Sequence, residues 1–239
     1  MTSRPAQLPP RGQDPHITDT GTGTHAHAHP RAHPRAHTRA RILEAALREL
    51  GRSPDCTLAD IAEAAGVARR TVYVHFAGRA ALVRGLAAEA AEAVRLASEV
   101  ADVPAPDAAT ALAHFVLTLW PAADRYRVLV NLARQDLGAH HVDEVLAPAR
   151  TAVARILAQG QRQGLFHTTL PPGPLTRALE AYLLSLLDAV NAGAWADDVT
   201  ATATTAATTA LIAAGVDSNL ATTTVRHLHD HLGPTHSPR

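Results

Sequence analysis

The sequence predicts an all-α protein, on two observations. Apolar residues make up 46% of the 239 positions but aromatics only 3%, and with Ala and Leu supplying most of the apolar side, the balance favours helices packed through small residues over sheets. Along segment after segment the apolar positions recur at spacings of three and four, the period of a helix with one buried face. No run of about 18 uncharged apolar residues occurs, so no membrane span is expected, and the polar, Pro-containing start does not read as a secretory signal. A cytoplasmic protein is expected. The single cysteine, Cys56, excludes an internal disulfide framework and a cysteine-rich zinc finger, and it is assigned no role.

Residues 1–37 hold Pro, Gly, Thr, Arg and His with almost no large apolar side chain. Such a segment cannot bury enough surface to offset the entropy of ordering it, so a disordered arm is expected. Within it His25, His27, His29, His33 and His37 alternate with small residues. Imidazoles so placed bind transition metals readily, but no rigid element fixes a geometry, and no metal is assigned. The stronger readings are a neutral tail, or one that adds non-specific affinity for nucleic acid through Arg31, Arg35 and Arg39.

The first ordered helix is expected over Arg39–Leu50, with Ile42, Leu43, Ala46, Leu47 and Leu50 on one face and a stop at Gly51. Arg39 or Arg41 on its polar face is either a phosphate contact or a solvated flank. Next comes TLADIAEAAGVARRTVYVHF, Thr57 to Phe76. Ile61, Ala62 and Ala65 share one face, Thr57 can cap the exposed N–H groups, and Asp60 completes a loose capping box. Gly66 falls where the chain must turn in a left-handed conformation. From about Ala68 to His75, a second short helix turns Val72 and Phe76 inward and Arg69, Arg70, Thr71 and Tyr73 outward. Two short helices around a tight turn, the second basic and small, suit a helix-turn-helix whose second helix enters the DNA major groove. Which of Arg69 and Arg70 reaches the bases is open at this point.

Charge supports a polar division of labour. The chain contains no lysine; residues 1–80 carry eleven Arg against seven acids (+4) and residues 81–239 eleven Arg against fifteen (−4). The basic part holds the reading head.

The run from Thr57 to Val83, with its Ile-Ala pair, Gly-Val turn, aromatic followed by His-Phe, and basic residue before Ala-Leu, resembles the DNA-binding signature of TetR-type transcriptional regulators. The resemblance covers about 45 residues; beyond them only architecture matches. It implies an N-terminal three-helix DNA-binding domain, placed at 38–84, followed by a larger helical ligand-binding and dimerisation domain at 85–232. It also implies DNA contacts from Thr57, Ala68, Arg69, Arg70, Thr71, Tyr73, His75 and Arg79, with Thr57, Tyr73, His75 and Arg79 as phosphate clamps.

A helix from Gly78 to about Val100, striped by Leu82, Val83, Leu86, Ala90, Val94 and Leu96, is expected to join head to body. Pro104 and Pro106 end it. Further helices are expected at 107–120, 122–138, 141–163, 174–194, 198–214 and 217–232, the Trp120-Pro121 step separating the first two. Phe115, Trp120, Tyr126, Phe166, Tyr182 and Trp195 are the large side chains available to line an apolar pocket. Leu179, Leu183, Leu186, Leu187 and Val190 form a wide apolar stripe, and the tract Thr200–Ala214 is nearly free of charge. Both point to burial against a second copy; in the resembling family, the last two large helices form such an interface.

No glycine-rich phosphate loop, His-Glu-x-x-His pair or nucleophile motif is present, so no catalytic residue, cofactor or enzyme activity is expected. HLHDH at 227–231 places His227 and His231 on one helix face, but a polar terminal helix explains it as well. The expected function is a homodimeric transcriptional regulator, a repressor released from a palindromic operator in double-stranded DNA by an unknown small-molecule effector. Two alternatives remain: a helical regulator with no inducer, and a metal-responsive one using the His-rich segments.

Overall fold

The computed structural model describes residues 34–99, 103–195 and 198–232. Most of the expected arm, including His25, His27, His29, His33 and Arg31, lies outside the described residues. Among them every regular element is a helix, in the order α1 (Pro34–Arg52), α2 (Leu58–Ala64), α3 (Arg69–His75), α4 (Arg79–Glu99), α5 (Ala108–Arg125), α6 (Leu129–Asp136), α7 (Ala139–Arg162), α8 (Pro172–Asn191), α9 (Val199–Ala213) and α10 (Ser218–Leu232). None is long and apolar enough to cross a membrane.

Two apolar cores organise these helices. In the first, Ile42, Leu43 and Leu50 of α1, Ile61 of α2, Val72 and Phe76 around α3, and Leu82 and Leu86 of α4 are buried together. Each such side chain contributes ~1.5–3 kcal/mol when fully buried, enough to hold helices of seven residues that would be marginal alone. This core does not end at the head: Leu129, Leu132 and Ala133 of α6 and Val142 of α7 belong to it. The second core gathers α5, α7, α8, α9 and α10 around Leu112, Phe115, Trp120, Leu157, Leu179 and Leu211. Helix α4 enters both, with Leu82 to Ala90 in the first and Val94 in the second.

Several expected boundaries move. Helix α1 starts at Pro34 rather than Arg39, since proline in the first turn lacks only an N–H that would be unpaired there anyway. It also runs through Gly51 to Arg52. Helix α5 continues through Pro121 to Arg125. Proline removes one backbone bond, but Trp120 and Asp124 on either side of it are buried, and that tertiary packing outweighs the break. Leu96, assigned to the α4 stripe, is 51% exposed: at ~100° per residue it lies about 160° round the helix from Val94 and about 100° from Ala97, off the face that those two turn inward.

Helix α9 explains its Thr/Ala composition. Ala203, Ala206, Ala207 and Ala210 are buried against α5, where small side chains allow close approach. Thr204, Thr205, Thr208 and Thr209 satisfy their hydroxyls on carbonyls one turn back, so the tract needs no charge to stay wetted or paired.

Candidate nucleic-acid interface and effector cavity

Thr57 caps α2 as its sequence position suggests. Its Oγ1 accepts from the backbone N–H groups of Ala59 (3.2 Å) and Asp60 (3.3 Å), while its own backbone N–H donates to Asp60 Oδ2 at 2.7 Å. That backbone donation, joined by the Thr57 hydroxyl, holds the Asp60 carboxyl below its ordinary range. The box orients the first helix; it also leaves the Thr57 hydroxyl occupied.

At the other end of α2, Gly66 takes φ +62°, and Val67 donates its N–H to Ala62 at 3.0 Å. A β-carbon is disfavoured in that left-handed turn. Arg41 reinforces it from α1, donating to the carbonyls of Ala65 (2.6 Å) and Gly66 (3.3 Å). Arg39 lies over the Phe76 ring at 5.4 Å. Both arginines of α1 left open between phosphate contact and solvated flank are thus engaged within the head.

Helix α3 begins after Ala68, which has no side-chain cap. Val72 and Phe76 are buried, Thr71 and His75 half-buried, and Arg69, Arg70, Tyr73 and Val74 exposed. The Arg69 guanidinium sits 5.8 Å from the centre of the Tyr73 ring, a cation–π pair one turn apart. Val74, which was not anticipated as a site residue, is 74% exposed, more than any other large apolar side chain described. Its position relative to Val72 and Phe76 in the helical period was the available signal.

Arg79 departs from the clamp role that the resemblance implies. Its Nε donates to Asp136 Oδ2 at 3.1 Å, Nη1 to the Cys56 carbonyl at 3.3 Å and Nη2 to the Pro54 carbonyl at 2.7 Å. The guanidinium therefore braces the loop before α2 and the end of α6. A second tie, Glu44 with Arg125, joins α1 to α5. The half-buried Cys56 thiol is pushed up by burial first of all, the condition of an unreactive thiol.

In the body two adjoining apolar cavities, of about 100 and 80 Å³, share Leu119, Ala123, Leu146, Leu184 and Leu187 as walls. Of the six large side chains expected to line a pocket, Phe115 and Trp120 line the first cavity and Tyr126 the second. Phe166, Tyr182 and Trp195 do not line either. Phe166 is buried over Gly160, Trp195 meets Trp120 edge-on at 6.1 Å, and Tyr182 points outward, 37% exposed.

The α8 stripe also needs correction. Leu179, Leu187 and Val190 are buried within the subunit, and Leu179, Leu183 and Leu187 form cavity wall at successive turns; Leu186 packs half-buried on the same core. A stripe facing a hollow interior has the same periodicity as one facing a partner. The outward face of α8 is instead Ala178, Ala181, Tyr182 and Ser185.

Polar groups at the first cavity are already paired. Thr176 donates to the Pro172 carbonyl at 2.7 Å; Arg150 is bound to Glu180 and donates to Asp143 Oδ1 at 2.6 Å. Among the described residues no group of three or more His, Cys, Asp or Glu is placed to hold a metal.

Residues 42–86 match the family model described as bacterial regulatory proteins, tetR family. Among solved structures, the TetR-like transcriptional regulator LfrR from Mycobacterium smegmatis in complex with proflavine is 26% identical, over 74% of this chain and 97% of that one, with TM-score 0.57. A tetR-family regulatory protein from Rhodococcus RHA1 shares the fold at 21% identity over 75% and 98%, TM-score 0.61. So does the MbdR regulator from Azoarcus sp. CIB, at 19% over 73% and 97%, TM-score 0.62. No curated protein matches this chain.

Proposed function

We propose that this chain, a TetR-type helix-turn-helix regulator, acts in the cytoplasm as a homodimer that holds a palindromic operator and lets it go when an uncharged apolar molecule enters the helical body. The observation carrying this reading is the course of α4. Leu82 and Leu86 hold Phe76 behind the reading helix, while Ala87 and Ala90, one turn on, line the second cavity with Leu129, Val142 and Leu187. One rigid element thus touches both the reader's support and the cavity. A ligand that displaces α4 or α6 shifts the population toward a state whose two heads no longer match half-sites about one helical turn, ~34 Å, apart.

The cavities support an apolar effector because every polar side chain at the first is already paired inside the protein, leaving none to receive a charged ligand without loss. Their size matters too. An apolar cavity of ~150 Å³ accepts benzene, so a larger effector must part Leu119, Leu184 and Leu187, and that displacement is the signal.

Selection of bound fragments from random duplex DNA tests the first half: an inverted repeat is expected, and a single asymmetric site would overturn the dimeric reading. Titrating toluene, indole, benzoate and benzylamine into the complex tests the second. Release by the neutral pair is expected; release by benzoate or benzylamine alone would overturn the assigned effector class.

A further inference from the structure

We propose that Val74 reads the 5-methyl group of a thymine and that Arg70 reads the base pair beside it, while Arg69 serves the backbone. The inference rests on the DNA-binding reading above and assigns base contacts within it. At ~100° per residue, Val74 lies about 180° round the helix from the midpoint between buried Val72 and Phe76, and Arg70, one turn earlier, is about 40° from Val74. These two side chains therefore project farthest from the three-helix head, toward a groove floor. Arg69 and Tyr73 fall on the flank beside the buried face and are held to each other at 5.8 Å, directed at a groove wall.

The chemistry separates the two arginines in the same way. Arg70 has no hydrogen-bonding, ionic or ring partner among the described residues, so its five donors are unspent for the bidentate O6/N7 edge of guanine. Arg69 is drawn over an aromatic ring and offers a positioned charge, suited to phosphate. Val74, 74% exposed, is an apolar side chain that no packing in the subunit explains. In the major groove the apolar feature that a base presents is the thymine methyl. Arg70 and Val74 are ~6 Å apart along the helix axis, against ~3.4 Å per base step, so the two contacts fall one to two base pairs apart.

The test uses the full chain and its selected operator, with each thymine replaced in turn by deoxyuridine, which lacks only the methyl. Wild type is expected to lose about fourfold in affinity per half-site at one thymine, the worth of about one buried methyl, and nothing at the others. Val74→Ala should lose that discrimination, binding the thymine and deoxyuridine sites alike, while Val74→Ile retains it. Arg70→Ala should relax preference at the neighbouring position only. Arg69→Ala should weaken all sites equally and make the slope of log affinity against log salt shallower by about 1. Because Val74 supports no core contact, its variants should melt with wild-type cooperativity, and circular dichroism checks this. A flat deoxyuridine scan for wild type, or a Val74→Ala protein that still distinguishes the methyl, overturns the assignment with DNA binding intact. If no DNA is enriched by wild type at all, the DNA-binding reading fails and this one with it.

Discussion

Arg79 Nε lies 3.1 Å from Asp136 Oδ2, across 57 positions of sequence. The same guanidinium donates to the carbonyls of Pro54 and Cys56, so one side chain ties the start of α4 to the loop before α2 and to the end of α6. With side chains 36% and 24% exposed, the ion pair itself is screened, and a double-mutant cycle of Arg79→Ala and Asp136→Ala should give a coupling of about 0.5–1 kcal/mol in urea melts. Its charge is already neutralised, so Arg79→Ala should weaken operator binding through the loop and leave the salt slope unchanged. A slope shallower by about 1 would show that the guanidinium leaves Asp136 for a phosphate.

The α2 cap predicts both a magnitude and a pH dependence. Thr57→Ala should cost about 1 kcal/mol of stability, the usual loss for an N-cap. Asp60 is held below its ordinary pKa in the folded state by the Thr57 backbone N–H. A depressed folded pKa means that its stabilisation is fully present above the unfolded value and is lost as pH falls through the folded one. Thermal melts between neutral and strongly acid pH should therefore show a smaller acid loss for Asp60→Asn than for wild type. Identical acid limbs would remove Asp60 from the cap.

Gly160 and Phe166 make a close contact that leaves no room for a side chain. A β-carbon at 160 would stand 2.1 Å from Phe166 Cδ2, and Phe166 is itself buried at 3% exposure. Gly160→Ala should destabilise by about 1–3 kcal/mol through overpacking. Adding Phe166→Leu should return part of that loss, which denaturant titration of the single and double variants will measure.

Charge placed on opposite faces of α8 should separate assembly from folding. Tyr182→Glu, or Ile212→Glu on α9, whose side chains are exposed in the subunit, should keep wild-type melting of the isolated subunit but yield a monomer by light scattering. Leu187→Glu, buried against both cavities, should instead destabilise by several kcal/mol whatever the assembly state. A dimer that survives both outward substitutions would place the interface elsewhere.

The elements legible in advance share one property: their determinants lie within a few turns of one another in sequence. Thr57 and Asp60 are three residues apart, Gly66 closes the helix that they open, and Val72 and Phe76 define the inner face of α3 by a spacing of four. Capping, a positive φ and helical period are local physics, so the all-α class, the reading head and the shared helix α4 follow from the chain alone. Even Pro121 was locally sound as a stop, and only the buried Trp120 and Asp124 around it carry the helix onward.

What the tertiary structure alone decided is which way each apolar face turns and where each charge ends. The period of Leu179, Leu183 and Leu187 is the same whether the helix covers an internal cavity or a second subunit; only the placement of α5 and α7 opposite it makes those residues cavity wall. Arg79 reads as a phosphate clamp until α6 folds back to bring Asp136 beside it. Helical periodicity sets which residues share a face, but the partner of that face is fixed by contacts between segments tens of residues apart, and no local pattern encodes them.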